Sequence, residues 1–379
     1  MIDLTGYLIV GGCAAAVTAA TTPVVAIIGR KQGWMAQPDE RRSHPVPTPD
    51  VGGIAFFVGL LASLLLASQM DRFSTLFENN SELIGVLIAA VVIFVLGIVD
   101  DIHEVSAPMK VTGVVVAALV LVAFGVTMFF FRVPLLDVFI LPNDWIPLFT
   151  VFWLLGMTQS INLIDGLDGL AGGIVAIAAG SFFVYSKHLG DVGLLSEPNI
   201  GPLIAIITLG ICLGFLPFNF NPARIFMGDS GALMLGLLMA VSTSVVGGRA
   251  DPQSQDFSGQ TYFFIAPLFI PLLILGVPII DVIFAIFRRT LSGKGLATAD
   301  RGHLHHRLIA LGHGPRRAVV ILWAWTGLLS AFALYPALTN KSPNLLLVLG
   351  VAMLLTGFSI YHPRFVRQRE SETSQNSSN

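Results

Sequence analysis

Five aspartates, one asparagine, one lysine and a histidine–arginine cluster stand out in a chain otherwise poor in charge. Asp100 and Asp101 sit side by side directly after an apolar run. Adjacent carboxylates repel each other unless a cation lies between them. The pair therefore reads either as a solvated acidic helix end or as a Mg²⁺ site shared with a phosphate. Lys110 follows at the start of the next apolar run. In N-L-I-D-G-L-D-G-L-A, Asn162, Asp165 and Asp168 are spaced by three, which at helical pitch puts them on one face. The alternative is a polar interhelical turn broken by Gly166 and Gly169. In F-N-F-N-P-A-R-I-F-M-G-D-S-G-A, Asp229 stands where an apolar run begins, so it either caps a helix or holds a metal. Arg224 offers a fork for phosphate, and Phe226 either stacks on a base or packs. R-G-H-L-H-H-R places His303, His305 and His306 between Arg301 and Arg307. Zinc is one reading of that cluster, but it lacks both the helical i, i+4 pair and a nearby cysteine. A pyrophosphate clamp of imidazole and guanidinium donors suits it better. Arg41, Arg42 and His44 precede a proline-stiffened turn and read equally well as membrane anchors; Gly52 and Gly53 after them permit close backbone approach.

The elements that position these groups are membrane helices. Of 379 residues 54% are hydrophobic and only 12% charged, with mean hydropathy +0.80; a soluble domain carries about 25% charged residues. Repeated apolar runs of about 20 residues predict an all-α, polytopic helical bundle. Alternating strands, and hence a β-barrel, are excluded. Eleven spans are predicted, at about 6–28, 51–68, 82–99, 112–131, 145–161, 169–186, 201–217, 230–247, 261–287, 318–338 and 344–361. Pro271 and Pro278 predict a bend or break in the ninth. The first is read as a retained helix, because it is long for a signal peptide and has no basic stretch before it. Residues 1–363 form one transmembrane domain, and 364–379 a polar, disordered cytoplasmic tail. Cys13 and Cys212 lie in apolar runs, so neither a disulfide nor a metal–thiolate site is expected.

Lysine and arginine set the orientation. With the N-terminus outside and the C-terminus inside, sixteen of the twenty-one fall in inner segments. Every chemically rich cluster then faces the cytoplasm, and the acids sit at helix ends. Asp281, within the ninth span, is the exception. A transporter would instead place polar groups at mid-membrane on broken helices. A one-sided surface of acids and bases suits Mg²⁺-dependent phosphoryl transfer. No nucleic-acid partner is expected.

The ordered set D-D, N-L-I-D-G-L-D-G-L-A, P-A-R-I-F-M-G-D and H-L-H-H-R resembles the polyprenyl-phosphate N-acetylhexosamine-1-phosphate transferases, the superfamily of MraY, WecA and TagO. The likeness runs from about Pro38 to Leu311. His-Leu-His-His-Arg, in place of three consecutive histidines, looks like the WecA/TagO branch, as do eleven spans with an inner C-terminus. MraY-type transfer of phospho-MurNAc-pentapeptide is the runner-up, and a scaffold with no activity fits four intact motifs poorly. Asp50 departs from the more usual basic or neutral residue. The resemblance implies transfer of GlcNAc-1-phosphate from UDP-GlcNAc to undecaprenyl or decaprenyl phosphate, with UMP released. It implies Mg²⁺ as cofactor, with Mn²⁺ able to substitute, a bacterial plasma-membrane location and a homodimer. By family position Asp229 ligates Mg²⁺. Asp100 and Asp101 hold metal and acceptor phosphate, and one of them deprotonates the acceptor. Asn162, Asp165 and Asp168 line the nucleotide and catalytic centre. Lys110, His303, His305, His306 and Arg307 bind phosphates and close over the donor. Direct attack by the acceptor oxyanion is favoured over a covalent aspartyl intermediate.

Overall fold

The computed structural model describes residues 2–36, 46–78, 81–127, 130–133, 137–140, 142–247, 276, 279, 304–339 and 346–359. Nearly all of them are helical. Among the described residues seven helices are long and apolar enough to cross a membrane, or eight if α2 (Gly53–Ser68) is joined to the short helical segment Asp71–Phe77, which bends from it by 94°. The seven are α1 (Leu4–Gln32), α4 (Ser81–His103), α6 (Ile146–Ile164), α7 (Leu170–Asp191), α8 (Gly201–Asn219), α9 (Gly228–Gly247) and α11 (Pro315–Thr339). The short helix α3 covers Ser74–Phe77. Helices α5 (Ala107–Ala123) and α12 (Leu346–Ser359) are shorter apolar helices, and α10 is Leu304–Leu311. The predicted span 261–287 lies outside the described residues, save for positions 276 and 279. The chain is thus a polytopic helical membrane protein.

Small departures from the expected bundle have local causes. The helix predicted to run to 131 ends at Ala123, and a two-stranded hairpin pairs Phe130–Val133 with Asp137–Ile140, mostly within the connection expected after it. Six of the eight residues in these two segments are aromatic or β-branched in sequence, a composition that favours extended backbone. At the start of α1, Asp3 accepts from the Gly6 N–H at 3.1 Å and pairs with Arg72 after α2. That N–H, with the guanidinium beside it, holds the Asp3 carboxyl below the usual carboxylate range.

Helix α9 is the axis of the bundle. Every residue in it except Asp229 is buried, and it packs against α2, α4, α6 and α8. In contrast, α1 and α4 each turn large apolar side chains outward, among them Leu8, Val24, Ile84 and Val95. For these faces lipid is the natural solvent. Helices in lipid gain little from hydrophobic burial against one another and associate through close van der Waals contact between small residues. A β-carbon on Gly97 of α4 would lie 2.2 Å from the Ser230 Cα, and one on Gly236 of α9 would lie 2.5 Å from the Thr158 Cα of α6. Between α1 and α8, a β-carbon on Gly210 would meet the Gly11 carbonyl at 2.2 Å. Trp153 adds a hydrogen bond from α6 to the Thr243 hydroxyl of α9, at 2.9 Å.

This packing generates a test. Gly97→Val should destabilise the detergent-solubilised protein by about 1–3 kcal/mol, the usual cost of overpacking. Gly12→Ala, whose new methyl group would meet nothing within 4 Å, should leave the thermal midpoint within error. Equal midpoints for the two variants would contradict the close α4–α9 contact.

Candidate active site

The acids converge because several helices end at one level. Helix α4 closes its last turn with Asp100 and Asp101, and α5 opens with Ser106, Ala107 and Pro108, a favourable start for a helix. Asp100 is 7% exposed. One of its oxygens accepts the Val105 N–H at 2.6 Å, closing the α4–α5 turn. Its other oxygen pairs with the Lys110 ammonium, which also lies 2.5 Å from Asp229 on the first turn of α9. Two carboxylates from distant parts of the chain therefore meet on one cation.

Asp101 has a different task. Its Oδ1 accepts the Asp229 N–H at 2.6 Å, and its Oδ2 accepts the Ser230 hydroxyl at 2.5 Å and the Ser230 N–H at 3.3 Å. The first N–H groups of a helix have no partner within it, and a negative charge there also complements the helix dipole. Asp101 thus caps α9 and aims Asp229. The approach is tight: Gly228 has φ +68°, and a β-carbon on it would lie 2.5 Å from an Asp101 oxygen and 2.7 Å from the Asp50 carbonyl. Only glycine fits both the conformation and the space. Asp50 lies on a strip zipped to the segment before α9. Phe226 N–H donates to the Pro49 carbonyl at 2.8 Å, Gly52 N–H to Phe226 at 3.0 Å and Gly53 N–H to Met227 at 2.9 Å.

The Asn162–Ala171 stretch is a turn rather than a continuous helix. Helix α6 stops at Ile164, and Gly169 takes φ +78° ahead of α7. Of the two readings, the interhelical turn holds and the single helical face through Asn162, Asp165 and Asp168 does not: Asn162 is on the last turn of α6, and both acids lie in the loop. The segment after α8 holds that loop. Asn219 Oδ1 accepts the Gly169 N–H at 3.0 Å, and its amide donates to the Ile225 carbonyl at 3.0 Å. Asp168 Oδ2 accepts from the Asn221 amide at 2.8 Å and from the Ala223 N–H at 3.0 Å. One connection, from Phe218 to Asp229, therefore touches both the turn and the acid centre. Arg224 lies on it with its side chain exposed, and Arg30 of α1 reaches the Arg224 carbonyl at 3.4 Å. Phe226 is half-buried and its backbone is fully engaged.

His305 and His306 fall on α10, with Arg307 exposed beside them. His303, Arg301, Arg41, Arg42, His44 and Asp281 lie outside the described residues. The end of α10 is fixed by the buried His313, whose Nε2 lies 2.7 Å from the Ser359 carbonyl. The predicted residues that are described thus gather at one end of the bundle. Sequence reasoning missed Ser230, Asn219, Asn221 and Arg316. Of these, Ser230 carried a readable signal, a hydroxyl residue directly after a helix-opening acid.

A divalent cation fits the chemistry of the acid centre. Asp100 and Asp229 offer hard oxygen donors and already converge on a positive charge. Among the described residues no three His, Cys, Asp or Glu side chains form a metal-binding group. Such an ion would take two protein carboxylates and the rest of its oxygens from phosphate and water, as Mg²⁺ commonly does.

Comparison with known proteins defines the class. Residues 83–247 match the family model described as Glycosyl transferase family 4, a stretch that runs from α4 through α9. The decaprenyl-phosphate N-acetylglucosaminephosphotransferase of Mycobacterium leprae is 34% identical over 98% of this chain and 93% of its own. A probable undecaprenyl-phosphate N-acetylglucosaminyl 1-phosphate transferase of Bacillus subtilis is 36% identical, with coverages of 89% and 86%. A phospho-N-acetylmuramoyl-pentapeptide-transferase of Staphylococcus aureus is more distant, at 28% over 75% and 83%. The chain belongs to the polyprenyl-phosphate N-acetylhexosamine-1-phosphate transferases, membrane glycosyl-1-phosphate transferases, on the WecA/TagO-type branch.

The capping arrangement predicts a graded pair of variants. Asp101→Ala leaves two N–H groups and a hydroxyl without their acceptor. It should destabilise the protein by on the order of 3 kcal/mol and lower transferase activity about a hundredfold. Ser230→Ala, which keeps the backbone bonds, should cost about tenfold. Thermal unfolding in detergent and a transferase assay measure both, and an Asp101→Ala protein as stable as wild type would refute the cap.

Proposed function

We propose that this protein transfers N-acetylglucosamine-1-phosphate from UDP-GlcNAc to a polyprenyl phosphate in a Mg²⁺-dependent reaction that releases UMP. One observation carries the reading: Asp100 and Asp229 meet on the Lys110 ammonium at the bundle end where the Asn162–Ala171 turn also lies. Two anionic phosphates must approach each other there, and cationic groups must offset their repulsion. Mg²⁺ held by Asp229 and Asp100 would neutralise charge on the reacting phosphates. Lys110 supplies a second positive charge and keeps the two carboxylates together. Asp101 works through Asp229 as a positioning residue. Asn162, Asp165 and Asp168 line the nucleotide side, and His303, His305, His306 and Arg307 bind phosphate oxygens.

In the proposed step an acceptor phosphate oxygen attacks the sugar-linked phosphorus of the donor. The bond from that phosphorus to the bridging oxygen breaks, and the oxygen leaves with UMP. One phosphoanhydride is lost and one is formed, so the reaction runs in both directions. The acceptor is already an oxyanion, which removes the need for a covalent enzyme intermediate. The lipid acceptor comes from the bilayer and the donor from the cytoplasm, which places the site at the inner face of a bacterial plasma membrane. Eleven spans, an outer N-terminus and an inner C-terminus complete this reading. The product would begin a cell-surface glycan.

The test is release of UMP by purified protein supplied with polyprenyl phosphate and a panel of UDP-sugars, with and without EDTA. Release with UDP-GlcNAc and loss on chelation are expected. Release only with UDP-MurNAc-pentapeptide would overturn the sugar assignment, and no release from any donor would overturn the reaction. Asp229→Ala should lower the rate at least about a hundredfold with the thermal midpoint retained; a wild-type rate would remove Asp229 from the centre.

A further inference from the structure

Arg316 lies in the first turn of α11, just beyond the histidine–arginine segment. Cations are disfavoured at a helix N-terminus, yet Arg316 and Arg317 both stand there with no acid in the turn. Arg316 has found an acceptor outside its own helix. Its Nε donates to the Asn221 carbonyl at 2.9 Å and to the Asn221 Oδ1 at 3.2 Å. With Oδ1 committed to the guanidinium, the amide can point only one way, and its Nδ2 donates to Asp168 Oδ2 at 2.8 Å. The neighbouring Ala223 N–H holds the same oxygen at 3.0 Å. Among the described residues Asp168 Oδ1 makes no hydrogen bond, so the relay leaves that oxygen for a ligand.

We propose that Arg316 is a positioning residue for the donor site. It fixes the Asn221 amide, and the amide fixes which way Asp168 presents its remaining oxygen. If the amide turned over, its own oxygen would face the carboxylate and push Asp168 out of register. The relay also fastens the start of α11, and with it the end of the basic segment, to the connection that carries Asp229. This inference rests on the proposed placement of Asp168 at the nucleotide.

The experiment measures UDP-GlcNAc binding by titration calorimetry and steady-state kinetics against both substrates. Arg316→Met keeps the apolar stem and removes the donors. It should raise the donor Kd and KM about tenfold, with the acceptor KM, kcat and thermal midpoint close to wild type. Arg316→Lys keeps one donor but not the fork, and should recover part of that loss. Asn221→Ala should match Arg316→Met, and the double variant should be no worse than Asn221→Ala alone. Wild-type donor affinity in Arg316→Met, or losses that multiply in the double variant, would overturn the relay while leaving the function standing. A wild-type protein that neither binds nor uses any UDP-sugar would overturn both.

Discussion

Helix α9 begins in the interior of a membrane protein, and its first N–H groups must find acceptors there. A buried backbone group left without a partner costs about 1–3 kcal/mol. Asp101 meets that demand by accepting from Asp229 and Ser230. Much of the architecture follows. The α4 helix must end beside the start of α9, so Gly97 has to let the two backbones touch. The segment before α9 must turn sharply at Gly228, which the strip around Asp50 and Gly52 braces from the other side. The adjacent acid, Asp100, is then carried to within reach of Lys110, and Lys110 to within reach of Asp229.

The two aspartates of one dipeptide thus divide their work by direction. Successive helical residues point about 100° apart, so one carboxylate turns to the α9 backbone and the other to Lys110. An acidic pair that looks like a single unit in one dimension points two ways in three: Asp101 accepts from the start of α9, and Asp100 pairs with Lys110. The connection from α8 to α9 shows the same economy. It holds the Asn162–Ala171 turn through Asn219 and Asn221 and delivers Asp229 at its far end.

The membrane class, the ends of most helices and the grouping of the acids were legible because apolar runs and scarce charges are strong signals in lipid. The order of motifs was legible for the same reason: Asp100, Asp165, Asp168 and Asp229 each interrupt long apolar stretches. Less legible was anything decided by the backbone. The interruption between α6 and α7 was legible in apolar runs that stop at 161 and resume at 169, but not the way it is held, with Gly169 at a positive φ and its N–H donated to Asn219. Arg316 looked like an ordinary inner-face arginine, because its partner is ninety-five residues away.

Central to the proposed reaction is a cation site for the reacting phosphates at Asp100 and Asp229. Electron paramagnetic resonance of Mn²⁺ titrated into the purified protein with UDP-GlcNAc tests this directly. Saturable Mn²⁺ binding is expected, lost in Asp229→Asn and kept in Asp165→Asn. Undiminished binding in Asp229→Asn would contradict it.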